Sequence, residues 1–314
     1  MCVEGVFDLL AVSECPAHEI IITSQEDIDR NSLSCADAEF NLWLKVLNAT
    51  GTLNFTTLTV THTIAIADSP QLKILAFPLL NTVYEFWLDQ AQALTNLSLP
   101  SISTLGTAKF TRAPKLTLLN LPHNEELDLT FIDVPRLDYF STFRNISSAT
   151  KIETSNCFDF RNLQYAGYLS ISASEACDVS LDSLTTMGTL IFRNLSGVYF
   201  GNGPISVENV FVLDKNTFDP KYQRTSDIIG LDKLTTVGSS VHITANLNAQ
   251  LPFDGLMTIG GDLQIVNNTN CTINFNHLTE VKNLYMLDNI ATELPILSSL
   301  RTAGDIHLRG DINT

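Results

Sequence analysis

One unit, written repeatedly, governs what this chain can fold into. Its clearest copy is Leu231 to Asn246, LDKLTTVGSSVHITAN. Two leucines three apart lead to Val237 and Gly238, Val241 and Ile243 then alternate with polar neighbours, and an Asn closes the unit. That alternation has the period of a short strand with one face buried, and the glycine before it reads as a turn residue. The scheme returns in Leu256, Ile259, Gly260, Leu263, Ile265 and Asn268, in Leu278, Val281, Leu284, Met286 and Asn289, and in Leu300, Ala303, Gly304, Ile306 and Leu308. The lead leucines at 234, 256, 278 and 300 each fall 22 residues after the last. A fixed period in the low twenties signals a solenoid, in which each unit hides its apolar side only against its neighbours.

The first half obeys the same step. Ile20, Leu42, Ile64, Phe86 and Ala108 stand 22 apart, as do Ile22, Leu44, Ile66, Leu88 and Phe110. Further ladders join Leu72, Leu94 and Leu116, and Leu58, Leu80 and Ile102, while prolines at 70, 78, 100 and 114 sit between the alternating pairs, where no ladder N–H is needed. Leu127 and Leu129 mark the next strand. Ile152, then Leu169 and Ile171, Leu190 and Phe192, and Val210 and Val212 continue the series. Asn194 and Asn216 repeat at 22 and read as asparagines stacked at the bends. Between Val212 and Val241 the step grows to 29, so a loop is inserted over 213–229, its polar part running from Lys215 to Asp227.

The fold expected is therefore all-β, one solenoid over 15–314 of coils of about 22 residues, preceded by a leader remnant or disordered stretch over 1–14. That leader is a poor signal peptide, since Glu4 and Asp8 interrupt it and no basic residue precedes it. SQEDIDRNSLSC reads as a short helix capping the first coil, with Ser24 as N-cap and Glu26 and Asp27 in its first turn. A Cys15–Cys35 bridge would pin that cap, and Cys157 with Cys177, at the same corner of adjacent coils, forms a second pair; Cys271 has no evident partner except distant Cys2. The chain stops directly after its last strand, which reads as truncation.

Those features carry a resemblance. Cys15, Ile20, Ile22, Ser24, Gln25, Asp27 and Cys35, followed by L-x-x-L-x-x-V-G-x-x-V-x-I-x-x-N units, resemble the receptor L-domain as found in fungal wall glycoproteins, the sporulation-specific and wall-maintenance proteins held by GPI anchors. Related L-domains form ligand-binding parts of insulin and epidermal growth factor receptors. The resemblance implies a right-handed parallel β-helix outside the cell, serving wall organisation or spore-wall assembly. It implies a wall glycan or a wall or membrane protein as partner, and membrane attachment only through a GPI anchor absent from this chain. The usual glycine between Cys35 and Leu42 is missing. Sequons at Asn48, Asn54, Asn96, Asn145, Asn194, Asn267 and Asn270 add weaker support for a secretory route.

Charge and motif content narrow the function. A net charge of -16 disfavours nucleic acid and anionic membrane, which need clustered Lys and Arg. Six cysteines contain no CxxC, and G-x-S-x-G, H-E-x-x-H and P-loop patterns are absent, so no metal or cofactor is implied. Parallel β-helices also host polysaccharide-active enzymes, whose sites need acidic groups converging from neighbouring coils. The residues after the strands, from Asp68, Gln90 and Arg112 to Asn267 and Asp288, offer no recurring acidic pair, and the expectation is a non-enzymatic protein. Binding then falls to the outward row, Ile21, Trp43, Ala65, Trp87 and Lys109 in the first half, and Ser170, Ile191, Phe211, His242, Gln264, Tyr285 and His307 in the second. Trp43 and Trp87 would share that row about 10 Å apart, two coils of about 4.8 Å. A covering loop or glycan would instead make them structural. His242 and His307 are three coils apart, too far to share a metal.

Overall fold

Alternating apolar residues build parallel rungs that stack into one long sheet. The computed structural model describes residues 19–30, 42–119, 127–137, 146–158, 160–173, 178–200, 205–217, 228–293, 295 and 297–310. Its main sheet has 17 strands. The rungs follow chain order from Glu19–Ile22 through Trp43–Leu47, Val60–Ala67, Thr82–Asp89 and Thr104–Thr111 to Glu280–Asn289 and Ile306–Gly310, each parallel to the next. Smaller parallel sheets form the other wall, among them Thr50–Asn54 with Gln71–Ala76, Asn96–Ser98 and Leu118–Leu119. The molecule is a right-handed parallel β-helix, as expected.

Two inward columns fill the coil behind the main sheet. Ile64, Phe86 and Ala108 stack in one and Ile66, Leu88 and Phe110 in the other, all essentially solvent-free. Phenylalanines meet along the stack, some face to face, as Phe110 and Phe131 at 5.0 Å and, in the opposite wall, Phe55 and Phe77 at 4.6 Å and Phe253 and Phe275 at 4.8 Å, and others edge to face, as Phe211 and Phe253 at 6.0 Å. Each such burial contributes about 1.5–3 kcal/mol, and repetition along the stack makes the rod cohere.

Most described rungs end in a left-handed residue, those of Glu19–Ile22, Ser148–Thr154 and Tyr165–Ser172 excepted. Asn48, Asp68, Gln90, Arg112, Asp133, Asn194, Lys215, Ala245, Asn267 and Asp288 all have φ between 46° and 57°. The conformation disfavours a Cβ, yet it aims the backbone N–H along the rod. Arg112 N–H donates to Ile132 O at 3.1 Å, Ala245 N–H to Val266 O at 2.9 Å and Asn267 N–H to Leu287 O at 3.0 Å. The next residue turns inward and is buried: Ala49, Ser69, Ala91 and Ala113 early, Asn216, Asn246, Asn268 and Asn289 late. The late four form a ladder in which Nδ2 of Asn216, Asn246 and Asn268 each donates to Oδ1 of the next at 3.0 Å, and each Oδ1 also accepts a backbone N–H of the preceding coil. Asn194 is not part of it. It occupies the exposed corner, and buried Leu195 takes the inward place.

Gly238 differs from its expected role as well. Its φ is not left-handed; what it supplies is space, because a Cβ there would stand 2.0 Å from Glu208 O, and at Gly260 2.2 Å from Gly238 O. The strands bend at this column and successive backbones nearly touch. At Gly238 and Gly260 only a residue without a side chain fits, although Glu208 and Lys282 of the same column carry one.

Three register expectations are corrected. Ile20 pairs with Leu44 and Leu44 with Ile64, so the first coil takes 24 residues and the second 20. The two deviations cancel, which is why Ile20 and Ile64 looked 44 residues apart in perfect step. Likewise Phe211, fully buried, pairs with Leu190, and Val212 faces out, where the expectation had Phe211 outward. Val210 to Leu213 is an unbroken apolar run, so its phase is invisible in sequence. Leu129 and Phe131, instead of Leu127 and Leu129, are the inward pair of their rung.

The N-terminal helix Gln25–Arg30 forms as expected. Ser24 Oγ accepts Asp27 N–H at 3.3 Å, while Asp27 Oδ2 accepts the N–H of Ser24 at 3.0 Å and of Thr23 at 2.9 Å, a reciprocal cap. The Gln25 amide copies a strand, accepting Asn54 N–H at 2.8 Å and donating to Asn54 O at 3.1 Å, and so pairs the edge of the opposite wall. Cys157 is disulfide-bonded. Its expected partner Cys177, the pair Cys15 and Cys35, Asn145 and 218–227 of the expected loop lie outside the described residues, and the loop expected over 213–229 is corrected at both ends, where Leu213 and Asp214 complete a rung, Asn216 joins the ladder and Ile228–Ile229 is a strand. Cys271 is a free, buried thiol, its pKa raised by burial.

Candidate binding face

Outward residues of the main sheet fall into columns set by the register. Ile21, Lys45, Ala65, Trp87 and Lys109 form the middle column. Trp43 pairs with Glu19 and Thr63, so it stands one column aside, two rungs from Trp87. The shared row expected from the sequence is thus a diagonal, a direct consequence of the 24- and 20-residue coils. Both rings are nonetheless open: Trp43 is 47% exposed and Trp87 49%. No described loop covers them.

Trp43's column continues through Thr63, Glu85, Thr107, Asp128 and Lys151. Beside it runs the column of the bend, with His62, Tyr84 and then Gly106. The His62 and Tyr84 rings lie 5.6 Å apart. At Gly106 the side chain stops, because a Cβ would meet Tyr84 O at 2.5 Å. The result is a groove of about 430 Å³ over successive rungs, with His62 and Tyr84 at one end, Gly106 as floor, and Glu85, Asp128 and Thr150 along its sides. This groove is invisible in the sequence until the bend column is known. The one available signal was that His62, Tyr84 and Gly106 recur at 22.

Hydrogen bonds fix part of the groove. Thr63 Oγ1 donates to Glu85 Oε2 at 3.3 Å, and His62 Nδ1 lies 2.9 Å from the same hydroxyl. The hydroxyl has one proton; given to Glu85, it leaves Thr63 as acceptor for a hydrogen on His62 Nδ1, with Nε2 free to accept. Below the face, Arg112 clamps Asp89 with a bidentate pair, its Nε donating to Asp89 Oδ1 at 2.7 Å, and holds that carboxyl below the usual range. Asp89 in turn raises Arg112. That cation is committed to the corner, while Lys109, exposed beside Trp87, makes no ion pair among the described residues.

In the second half the middle column runs His242, Gln264, Tyr285 and His307. His242 Nδ1 meets Gln264 Oε1 at 3.1 Å, and the Tyr285 and His307 rings stack at 5.0 Å. His242 and His307 are three rungs apart, as expected. The sequon asparagines sort by place. Asn48, Asn194 and Asn267 stand exposed on the left-handed corner, Asn270 is exposed one bend later, Asn54 is exposed on the opposite wall, and Asn96 is half-buried.

Comparison with known proteins places this geometry. Protein ecm33 of Aspergillus fumigatus is 26% identical over 193 residues, 57% of this chain and 47% of that protein. The match supports the fungal wall-glycoprotein family that cap and coils resemble. The chain spans about half the length of that curated relative. No family model matches, and no solved structure matches.

Proposed function

We propose that this protein is a non-enzymatic glycoprotein of the fungal cell surface that supports wall organisation, or wall assembly in spores, and that it does so by contact through the outer face of the main sheet. The observation that carries the reading is the contrast between the two sides of one sheet. Inward positions before the last described rung, where Ile306 and Leu308 are exposed, are filled by Ile, Leu, Val and Phe with almost no exposure, whereas the chain's tryptophans, Trp43 and Trp87, stand open to solvent on the outer face. Among the described residues close packing leaves the coil no interior space for a ligand, and exposed aromatics on a flat face suit sugar rings or a protein surface. The wall is taken from the family resemblance, which the match to Protein ecm33 supports. Attachment through a GPI anchor follows from the resemblance alone. Sedimentation with an insoluble fungal wall fraction tests this. The purified chain should be retained without releasing reducing sugar, and Trp87→Ala should reduce retention with an unchanged melting curve. Absence of retention, or steady sugar release, would refute it.

A further inference from the structure

We infer that the groove over Gly106 is the seat of a neutral glycan chain lying along the rod axis; this rests on the outer-face reading and names its ligand. Four features meet there. The Tyr84 ring, 38% exposed and braced by His62 at 5.6 Å, offers an apolar plate to the C–H face of a pyranose. Glu85 and Asp128 belong to one outward column, separated by the Thr107 rung, so about 10 Å of groove lies between their backbones. Carboxylates at that spacing accept from hydroxyls of alternate sugars along an extended chain. Thr107 and Thr150 add hydroxyls that donate or accept, and the His62 ring, whose Nδ1 is engaged by Thr63, offers its Nε2.

Shape selects a chain over a compact ligand. The groove is open to solvent along its length, crosses rungs from His62 to Thr150, and encloses about 430 Å³, the lower part of the range for ligand sites. Its floor is clear because Gly106 cannot carry a side chain: the Tyr84 carbonyl occupies the place of a Cβ. The same contact that shapes the fold therefore keeps the site vacant. Charge selects a neutral polymer. Two carboxylates in the groove and a net charge of -16 on the chain repel uronates and phosphorylated sugars. Trp87, two residues beyond Glu85 on the same face, extends the plate sideways and joins the groove to the face described above.

The test is titration calorimetry of the full chain with hexamers of β-1,3-linked glucose and of β-1,4-linked N-acetylglucosamine, with polygalacturonate as acidic control. One neutral hexamer should bind, and Tyr84→Ala and Asp128→Ala should each weaken it about tenfold, one well-formed aromatic or charge-assisted contact. Met257→Ala, exposed elsewhere on the rod, should bind as the parent does. Each variant is first shown to melt with the parent. Failure of both neutral hexamers to bind, tighter binding of polygalacturonate, or undiminished binding by Tyr84→Ala overturns the assignment. Wall sedimentation separates the two readings. If Trp87→Ala loses wall retention while Tyr84→Ala keeps it, the face stands and the groove falls; if neither variant alters retention, the face itself is refuted.

Discussion

Replacing Asn268 by Ala should damage the rod far more than its small change in volume suggests. The amide is fully buried and takes part in four hydrogen bonds: Oδ1 accepts Asn246 N–H and Nδ2–H at 3.0 Å each, and Nδ2 donates to Ile243 O at 2.9 Å and Asn289 Oδ1 at 3.0 Å. Truncation leaves the Asn246 N–H without its acceptor, about 1–3 kcal/mol for a buried donor. The Asn246 amide keeps Leu213 O and Asn289 Oδ1 keeps Asn268 N–H, so the other losses are nearer the net value of a bond, about 1 kcal/mol each. Together the expected loss is about 4–6 kcal/mol, with coupling along the ladder pushing it upward. Asn268→Asp should be worse, since a carboxylate would face the Ile243 and Asn289 oxygens. Asn194→Ala, on the exposed corner, should lose only the left-handed preference, about 1 kcal/mol. Solenoids need not unfold in one step, so the measurement is native-state hydrogen exchange of the amides from Ala245 to Asn268. A loss under 1 kcal/mol for Asn268→Ala, or equal losses at 268 and 194, would refute the ladder's role.

Three further outcomes are expected. Gly238→Ala should cost about 2–3 kcal/mol, because the new methyl meets Glu208 O rather than a movable side chain; an unchanged thermal melt would show that the backbones separate freely. Backbone N–H of Thr23, with its hydroxyl and Ser24, holds Asp27 at about 2 instead of 3.8, so its contribution is present above pH 4 and lost as pH falls through 2. Helix 25–30 should then lose amide protection over that window, and a cap equally protected at pH 5 and pH 2 would contradict the assignment. Cys271, neutral and buried, should resist iodoacetamide in the native protein and react once urea opens the rod; rapid native labelling, read by mass spectrometry, would contradict its burial.

Much of the fold was legible because a solenoid writes its packing into a period. Ile64, Phe86 and Ala108 could be aligned by subtraction, and each really does stack on the last. Phase was harder. Leu42, Leu44 and Val46 are all buried, so alternation there fits two registers, and only pairing shows that Leu44 follows Ile20. That single ambiguity moved Trp43 out of Trp87's column. The asparagines illustrate a subtler limit: Asn194 and Asn216 are 22 apart, yet one precedes and the other follows the inward turn, a difference of backbone φ that residue type does not reveal. The groove was illegible for a related reason. It exists because Gly106 lacks a side chain beside His62 and Tyr84, and a glycine read as a turn residue gives no hint of a vacant floor.

Fluorescence tests the central claim most directly, because the chain has two tryptophans and both stand on the outer face, 47% and 49% exposed. Acrylamide should quench the free protein readily. Adding solubilised wall glycan or the bound neutral hexamer should reduce quenching, and Trp43→Phe, which leaves Trp87 as sole reporter, should preserve the effect. Protein that is retained on the glycan with quenching unchanged would place the contact elsewhere and contradict the account.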